Sequence, residues 1–533
     1  MEPVSTTTST APLARPLPPV LGRLLSGTFW LALRTPLQAL FAFWSVPLTI
    51  AAIGDSYGAY GFAWGFGFLQ FLLEFGMSSA LQRQVSETWT RGDRAGVDRA
   101  IASGLAFYAA MAVIQAGVLV GIASWGVPAT FDAGSRRLIV RLLGLQALTA
   151  PCYGITMVVA SVLQAARRYD FLPKFEMAVV LARFAILWGG LRAGVDFFAI
   201  VAAQTAAQVV LALGPALWVM VRELGYVPRF RRVGRADFAP LVRISFYMFL
   251  IQLSVVLAEK VDTTVLGFAL ADPAPGIKAY QVVSKPFAQI RQAGGMLAYL
   301  VMPAVASLVA ARDHAGLERV TYDGPRLHIG LLAPVALLAW IYAAPFLDLW
   351  VGAEFPGRVP YLAGLLRLFL VATLPLVLAV PVQAAIGMGR VEPIALAALA
   401  GAVVNLPISY ALTTRIGVAG VIWGTVLTTL VSNLVVPGAY LVHVLGLRPA
   451  WVLRRTLAAP AAGVLALVVA TGALRGVVSA DPRGTGVLAR ALPLVLHLAV
   501  GCLAYLAGYV AAPGGRSDLA ALRGGLRRRL AGS

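Results

Sequence analysis

The sequence predicts an all-α polytopic membrane protein with about fourteen transmembrane helices, and three observations carry that reading. Of its 533 residues, 59% are hydrophobic and only 12% are charged, beyond the roughly 45–50% apolar content of a soluble domain. Apolar stretches of about 20 residues recur from Thr28 to Ala511, each long enough to cross about 30 Å of hydrocarbon as a helix. The chain also repeats itself at an offset of about 220 residues.

In chain order, spans are expected at 28–53, 59–81, 100–123, 139–166, 175–194, 196–221, 241–270, 277–311, 326–348, 361–388, 393–413, 418–444, 456–478 and 488–511. Residues 1–27 begin with a Ser-, Thr- and Pro-rich stretch that lacks the basic-then-apolar layout of a cleavable signal, and are expected as a disordered cytoplasmic tail. Spans one to six then make an N-lobe at 28–221 and spans seven to twelve a C-lobe at 222–444. Spans thirteen and fourteen occupy 445–511, and 512–533 form a basic cytoplasmic tail.

The formal net charge of +20 would suggest nucleic acid for a soluble chain. Here the basic residues sit mostly in short loops, with about 27 Lys and Arg on one side of the membrane and about 10 on the other. That asymmetry puts both termini in the cytoplasm of a multi-pass inner-membrane protein, and nucleic-acid binding drops out. The loop from Arg222 to Arg243, with Arg229, Arg231, Arg232 and Arg235, and the terminal run Arg527, Arg528 and Arg529 are expected to face anionic phospholipid. Cys152 and Cys502 lie singly in apolar stretches with no paired spacing, so no metal centre or structural disulfide is expected. No GxxxxGK[ST] motif is present, and no cofactor is expected. The loops are short, and the first outside loop offers little beyond Asp55, which disfavours an enzyme that needs acids or histidines outside the membrane.

The repeat is clearest in polar loops. Ala59 and Tyr60 align with Ala279 and Tyr280, and at the same offset Asp93, Ala95, Gly96, Asp98 and Arg99 align with Asp313, Ala315, Gly316, Glu318 and Arg319. Arg192, Gly194 and Val195 align with Arg415, Gly417 and Val418 at very nearly that offset. Six spans per copy return the chain to its starting side, so the copies have parallel topology about a pseudo-two-fold axis along the membrane normal.

Several segments resemble one family. Tyr57-Gly-Ala-Tyr60-Gly, Leu73-Glu-Phe-Gly76-Met77 and Arg91-Gly-Asp93 are similar to the second-helix signature of Wzx-type polysaccharide flippases, the O-antigen and exopolysaccharide transporters of the MOP (multidrug/oligosaccharidyl-lipid/polysaccharide) exporter superfamily. Asp262, Leu266-Gly267, Ala279-Tyr280, Pro303 and Ala310-Ala-Arg-Asp313 resemble that family's seventh and eighth helices, and Gly417-Val-Ala-Gly420 its twelfth. The resemblance implies two six-helix lobes around a central cavity, alternating access, and a polyprenyl-diphosphate-linked oligosaccharide as cargo. It also implies polysaccharide polymerase or assembly proteins as partners. Fourteen spans, against the twelve common in polysaccharide flippases, are similar to the count in lipid II flippases. That keeps lipid II open as cargo and a multidrug antiporter of the same superfamily as a further alternative; an integral membrane enzyme acting on a lipid-linked sugar is the alternative of a different class.

Ionisable groups at membrane depth cost at least about 2.5–3.5 kcal/mol on insertion scales, so they mark a cavity, a partner or an interface. On span eight, Gln281, Ser284, Lys285, Gln289, Arg291 and Gln292 project within an arc of roughly 160° at 100° per residue. Two readings stand: a cationic wall that binds a diphosphate through Lys285 and Arg291 and sugars through Gln289 and Gln292, or polar contacts that join helices. Span seven carries Glu259, Lys260 and Asp262, and span two carries Glu74; these are read as ion-coupling groups or as members of structural ion pairs. Arg34, Arg183 and Arg367 complete a candidate ring of positive charge, with snorkelling to the interface the alternative for Arg34 and Arg367.

Overall fold

The computed structural model describes residues 20–72, 74, 77–166, 171–227, 253, 256–257, 261–299, 301, 305, 308–309, 311–390, 392–446, 448–478, 487–520 and 523, with side chains of the first helix from Pro36 onward. The described residues are helical and contain no strand. In hydrocarbon a backbone amide has no water to turn to, and a helix is the one open-ended element that satisfies all its own groups. Ten of the described helices are long and apolar enough to cross a membrane, by length and composition. The surface suits lipid, since Val113, Leu148, Val210, Leu396, Leu465 and Leu503 are all exposed.

Contacts divide the chain into two units, Met1–Val256 and Leu257–Ser533. The first contains α1 (Val20–Ile53), α2 (Ser56–Gly65), α3 (Phe68–Leu72), α4 (Met77–Thr90), α5 (Arg94–Gly121), α6 (Ala133–Ala165), α7 (Phe171–Arg192) and α8 (Phe197–Trp218). The expected continuous span 59–81 is instead three pieces, α2 to α4. Gly65 and Gly67 each disfavour helix by about 1 kcal/mol relative to Ala, and a turn at Phe66 and Gly67 separates α2 from α3. The unit packs Met77, Leu81 and Val85 of α4 against Val97 and Ile101 of α5 and Val158 and Val162 of α6. Lipid tails are as apolar as leucine, so close approach rather than escape from water favours these contacts. Glycines permit it: a Cβ at Gly104 would lie 2.8 Å from Leu81, and one at Gly190 would lie 2.7 Å from Ile200. Beyond α8 the chain is pinned by Tyr226, whose buried hydroxyl donates to Asp98 at 2.5 Å and whose ring meets Trp89 edge-on.

The second unit contains α9 (Asp262–Ala269), α10 (Pro273–Tyr299), α11 (His314–Ile341), α12 (Ala343–Val351), α13 (Val359–Val371), α14 (Ala379–Gly387), α15 (Glu392–Ile416), α16 (Val418–Leu430), α17 (Val436–Val444), α18 (Ala458–Val477) and α19 (Val487–Ala511). A 3-10 stretch, Leu374–Leu378, interrupts the expected span ten between α13 and α14. Pro375 is the second residue of that stretch and Pro381 lies in α14, and neither has an N–H to give to a helix ladder.

The repeat holds at the level of single dihedral angles. Gly92 has φ +71°, and Arg312, its counterpart in the second copy, has φ +53°. The next residues, Asp93 and Asp313, share ψ 85° and cap α5 and α11 by accepting from Gly96 N–H at 2.9 Å and Gly316 N–H at 2.8 Å. A side chain at Gly96 would collide with Asp93 and Thr88, and one at Gly316 with Asp313 and Leu308. The second match behaves likewise, with Gly194 at φ +69° and Gly417 at φ +66° turning α7 into α8 and α15 into α16.

Spans thirteen and fourteen are built into the second unit. Leu467 of α18 and Leu494 and Tyr505 of α19 pack with Leu338 and Tyr342 of α11 and its C-terminal cap. The chain after α19, read from sequence as a plain basic tail, begins with a helix at 513–520 that buries Asp518. Arg326 of α11, 4% exposed, donates to Asp518 through Nε at 2.9 Å and Nη2 at 2.5 Å, and through Nη1 to Asp323 and the Arg455 carbonyl, both at 3.0 Å. Tyr509 donates to the same Asp518 carboxylate at 2.6 Å, while Arg455 binds Asp323 and Glu318. A bidentate, fully hydrogen-bonded pair of this kind fixes the register of α11, α19 and the terminal helix.

Two outcomes follow for stability. Asp518→Asn removes the bidentate carboxylate from the buried Arg326 guanidinium, leaving it the Asp323 contact that Arg455 shares, and is expected to lower unfolding stability by up to about 3 kcal/mol. Thermal unfolding in detergent measures this loss, and Arg326→Met in the same chain should recover most of it. Arg312 pays the left-handed backbone cost of about 1–2 kcal/mol that Gly92 avoids, so Arg312→Gly should raise the unfolding temperature while Gly92→Ala lowers it.

Candidate functional site

The polar face predicted on span eight is real as a surface of α10. Lys285, Gln289 and Gln292 are exposed along one side, Arg291 is half-buried on the flank, and Val283, Ile290 and Gly294 are buried on the opposite side. Lys285 and Arg291 stand about 12 and 21 Å from Ile277 at 1.5 Å per residue. A helix face that carries an ammonium and two amides is costly to lay against hydrocarbon. Chemically, an ammonium and a guanidinium bind phosphate oxygens by charge-assisted hydrogen bonds, and primary amides serve sugar hydroxyls as both donors and acceptors.

Asp262 opens α9 and is buried, accepting from the Tyr280 hydroxyl of α10 at 2.6 Å and from the Thr425 hydroxyl of α16 at 3.3 Å. Beside this trio in sequence runs a second polar seam between α15 and α16. Asn405 accepts from Ser409 at 2.9 Å and from Thr428 at 3.2 Å, with Asn405 2% exposed and Ser409 fully buried. Gly424 is what brings the helices together, since a Cβ there would overlap Ser409. The Lys278 ammonium is also buried and lies 4.7 Å from the Phe355 ring centre.

In the first unit, Glu74 is buried between α3 and α4 and accepts from the Tyr153 hydroxyl of α6 at 3.1 Å. A small cavity there is lined by Gln70, Glu74, Tyr108, Gln115 and Tyr153. The Tyr108 hydroxyl is buried in it without a hydrogen-bond partner. Arg183 lies elsewhere in this unit, on α7. It reaches Gln208 of α8 at 3.5 Å, the limit of hydrogen bonding, and its carbonyl accepts from Gln204 at 2.7 Å. Arg183 therefore sits on a polar seam of the α7–α8 hairpin.

Arg367 is engaged at a helix end. Its Nε donates to the Trp340 carbonyl at 3.1 Å and its guanidinium lies over the Trp340 ring, while Arg475 donates to the Ile341 carbonyl at 2.9 Å. Two cations thus meet the unsatisfied carbonyls and negative dipole end of α11, the geometry of an interfacial anchor. Arg34 lies on α1 with its side chain outside the described residues, as do Glu259 and Lys260 altogether. Tyr153, Tyr108, His328 and the Asn405–Ser409–Thr428 seam were not expected from sequence. The last had a signal: Asn405, Ser409 and Thr413 recur every four residues, a polar stripe on an otherwise apolar helix.

This fold is shared with solved membrane transporters. The chain is similar to "Lipid II flippase MurJ, inward closed conformation", with TM-score 0.69, 13% identity, and 90% of this chain and 98% of that one covered. It is similar to an inward-facing multidrug resistance MATE family transporter of the MOP superfamily, with TM-score 0.59, 14% identity, and 76% and 96% of the two chains covered. It is also similar to an outward-facing MATE transporter, with TM-score 0.55, 14% identity, and 81% and 96% covered. A comparison with curated proteins finds no match. The chain belongs to the polysaccharide biosynthesis protein family, whose model matches residues 54–360, in keeping with its resemblance to Wzx-type flippases.

The α15–α16 seam predicts a specific cost. Asn405→Ala leaves the Ser409 hydroxyl only the Val421 carbonyl at 3.5 Å, while Thr428 keeps the Gly424 carbonyl at 2.7 Å, and should lower unfolding stability by about 0.5–1.5 kcal/mol, whereas Asn405→Asp, which keeps an acceptor, should retain more of it; thermal unfolding with and without each change checks the order.

Proposed function

We propose that this chain is a flippase that carries a polyprenyl-diphosphate-linked oligosaccharide from the cytoplasmic to the periplasmic leaflet of a bacterial inner membrane by alternating access. The observation that carries the reading is the polar face of α10, where Lys285, Gln289 and Gln292 are exposed with Arg291 beside them. A diphosphate needs cations, its sugars need amides, and its polyprenyl tail needs neither and stays in the bilayer. The family to which the chain belongs, polysaccharide biosynthesis proteins, supports the cargo class. Cationic drugs would favour acids on such a face, so a multidrug antiporter ranks below it. Lipid II is the second cargo to consider, because the likeness to MurJ covers 90% of this chain. It shares the polyprenyl diphosphate, so the same α10 residues would serve it.

An energy source is needed to drive net movement, and two of the buried acids, Glu74 and Asp262, are the candidates for coupling. Glu74 accepts from a neutral tyrosine hydroxyl, and Asp262 from a tyrosine and a threonine. A carboxylate held by hydroxyls exchanges those hydrogen bonds when it gains a proton or a small cation, so loading either acid changes how its helix is tied to the next.

The test is leaflet accessibility of a polyprenyl-diphosphate-linked oligosaccharide in proteoliposomes, with and without an imposed proton or sodium gradient. Protein-dependent appearance of the intact headgroup in the opposite leaflet is the expected outcome. Lys285→Gln and Arg291→Gln should each cut that rate at least tenfold, about 1.4 kcal/mol, while abundance and insertion stay near wild type. A parallel loss of abundance would make these residues structural, chemical conversion without movement would make the chain an enzyme, and movement of lipid II alone would reassign the cargo.

A further inference from the structure

The repeat places one further group where the transport reading assigns nothing. His328 of α11 is 4% exposed, and its Nε2 lies 2.9 Å from the Gly294 carbonyl of α10. A carbonyl only accepts, so Nε2 carries the ring proton and Nδ1 holds a bare lone pair. Nδ1 is buried with no hydrogen-bond partner. The carbonyl of Leu376, in the interrupted stretch Leu374–Leu378, is also close to the ring. It already accepts from Ala379 N–H and keeps a second lone pair. Leu376 packs tightly here, since a Cβ at Gly294 would lie 3.0 Å from its side chain.

The corresponding positions of the first half line its small cavity. Tyr108 is the counterpart of His328 and Glu74 the counterpart of Gly294, both at the offset that relates Asp93 to Asp313. Tyr153, which donates to Glu74, corresponds to Leu376 at the offset that relates Gly194 to Gly417. In both halves the α5 or α11 side chain carries a buried polar atom without a hydrogen-bond partner. The first half supplies a carboxylate there and the second an imidazole.

We infer that Nδ1 of His328 is a proton-acceptor site of the second half, the counterpart of the Glu74 pocket, and that its protonated ring ties α10 to the interrupted stretch between α13 and α14. The step adds one proton from water to the Nδ1 lone pair and breaks no bond in the protein. The ring then has two donors, one for Gly294 and one for the free lone pair of Leu376. Loading therefore links two helices through a third at the place where span ten departs from α-helix.

The neighbouring ionisable groups leave the site to His328. On α11 and the elements packed against it, Asp323, Arg326, Arg455, Tyr509 and Asp518 are bonded among themselves. Arg367 and Arg475 hold the far end of α11, and His497 is bonded to Tyr342. Asp348 is on α12, Arg454 adjoins Arg455 before α18, and α10 carries Lys278, Lys285 and Arg291; α14 and the 3-10 stretch carry no ionisable side chain. None of these groups is hydrogen-bonded to Nδ1.

The experiment uses full-length protein in lipid bilayers with nitrogen-15-labelled histidine rings. The sequence has four histidines, and His328→Gln, whose amide can still donate to Gly294, identifies the signal by its loss. The expected result is one ring that passes from a singly to a doubly protonated spectrum between about pH 5 and pH 8 and is missing in the variant. With transport of the lipid-linked cargo as a second readout, His328→Gln should flatten the pH dependence of the wild-type rate by at least fivefold. A His328 ring that stays singly protonated throughout that range, with and without cargo, would overturn the inference, as would an unchanged pH profile in a folded variant. Should His328→Gln fail to fold, His314→Gln, His443→Gln and His497→Gln assign the other three rings and the wild-type spectrum decides. The spectrum reports the proton whatever the cargo is, so its failure is distinct from failure of the flippase reading.

Discussion

A hydrocarbon interior offers no water to a polar group, and nearly everything specific about this molecule can be traced to how it answers that constraint. The backbone answers with helices. The side chains answer in three ways: by pairing within a unit, as Asp262, Tyr280 and Thr425 do; by anchoring at a helix end, as Arg367 and Arg475 do; or by standing on an open face, as Lys285 and Gln289 do. The first two answers close the local accounting of hydrogen bonds and so describe structure. The third presents charge and amides on an exposed surface, the feature on which the proposed function rests.

The internal repeat shows which features belong to the scaffold and which to the task. The capping aspartates Asp93 and Asp313, the left-handed residues before them and the glycines after them recur with the same geometry in both halves. Identical geometry at identical offsets is what helix entry requires, and it implies no ligand. The halves differ in chemistry. Glu74 is matched by Gly294, Tyr108 by His328, and Asp262 by Ala42 in the first copy. A repeat that keeps its turns and diverges in its buried titratable groups has kept a frame and made its two halves electrostatically unequal, as directional transport requires of two otherwise similar lobes.

The fold class and the repeat were legible in sequence because both rest on strong, local signals: long apolar runs, and polar loop residues whose spacing survives between copies. The polar face of α10 was legible for the same reason, since 100° per residue collects Lys285, Gln289 and Gln292 on one side. What sequence did not provide was pairing between distant segments. The Arg326–Asp518 pair is 192 residues long in sequence and has no local signature, so 513–520 read as an ordinary basic tail. Tyr153 and Glu74, 79 residues apart, likewise carry no signal one at a time. Arg367 looked like a candidate cavity charge because depth along a helix says nothing about which neighbouring carbonyls are within reach. Span two looked continuous because its glycines are as apolar as the residues around them, and hydropathy does not register a broken helix.

The balance of charge at depth narrows the class of cargo further. A cation on an open face repels cationic solutes and, in a medium of low dielectric constant, does so over longer distances than at an aqueous surface. For a diphosphate headgroup the same field is attractive and needs no shape match, which suits a carrier that must accept bulky glycans. On the proposed reading the amides Gln289 and Gln292 would bear on the sugar, each able to donate and accept in several orientations. Such contacts tolerate variation in a glycan while requiring the diphosphate, so selectivity would lie in the shared chemistry of the lipid carrier and leniency in the sugars it bears. On the proposed reading the α10 face would not separate an oligosaccharide-lipid from lipid II, because the part of the cargo that its cations would read is the part the two have in common.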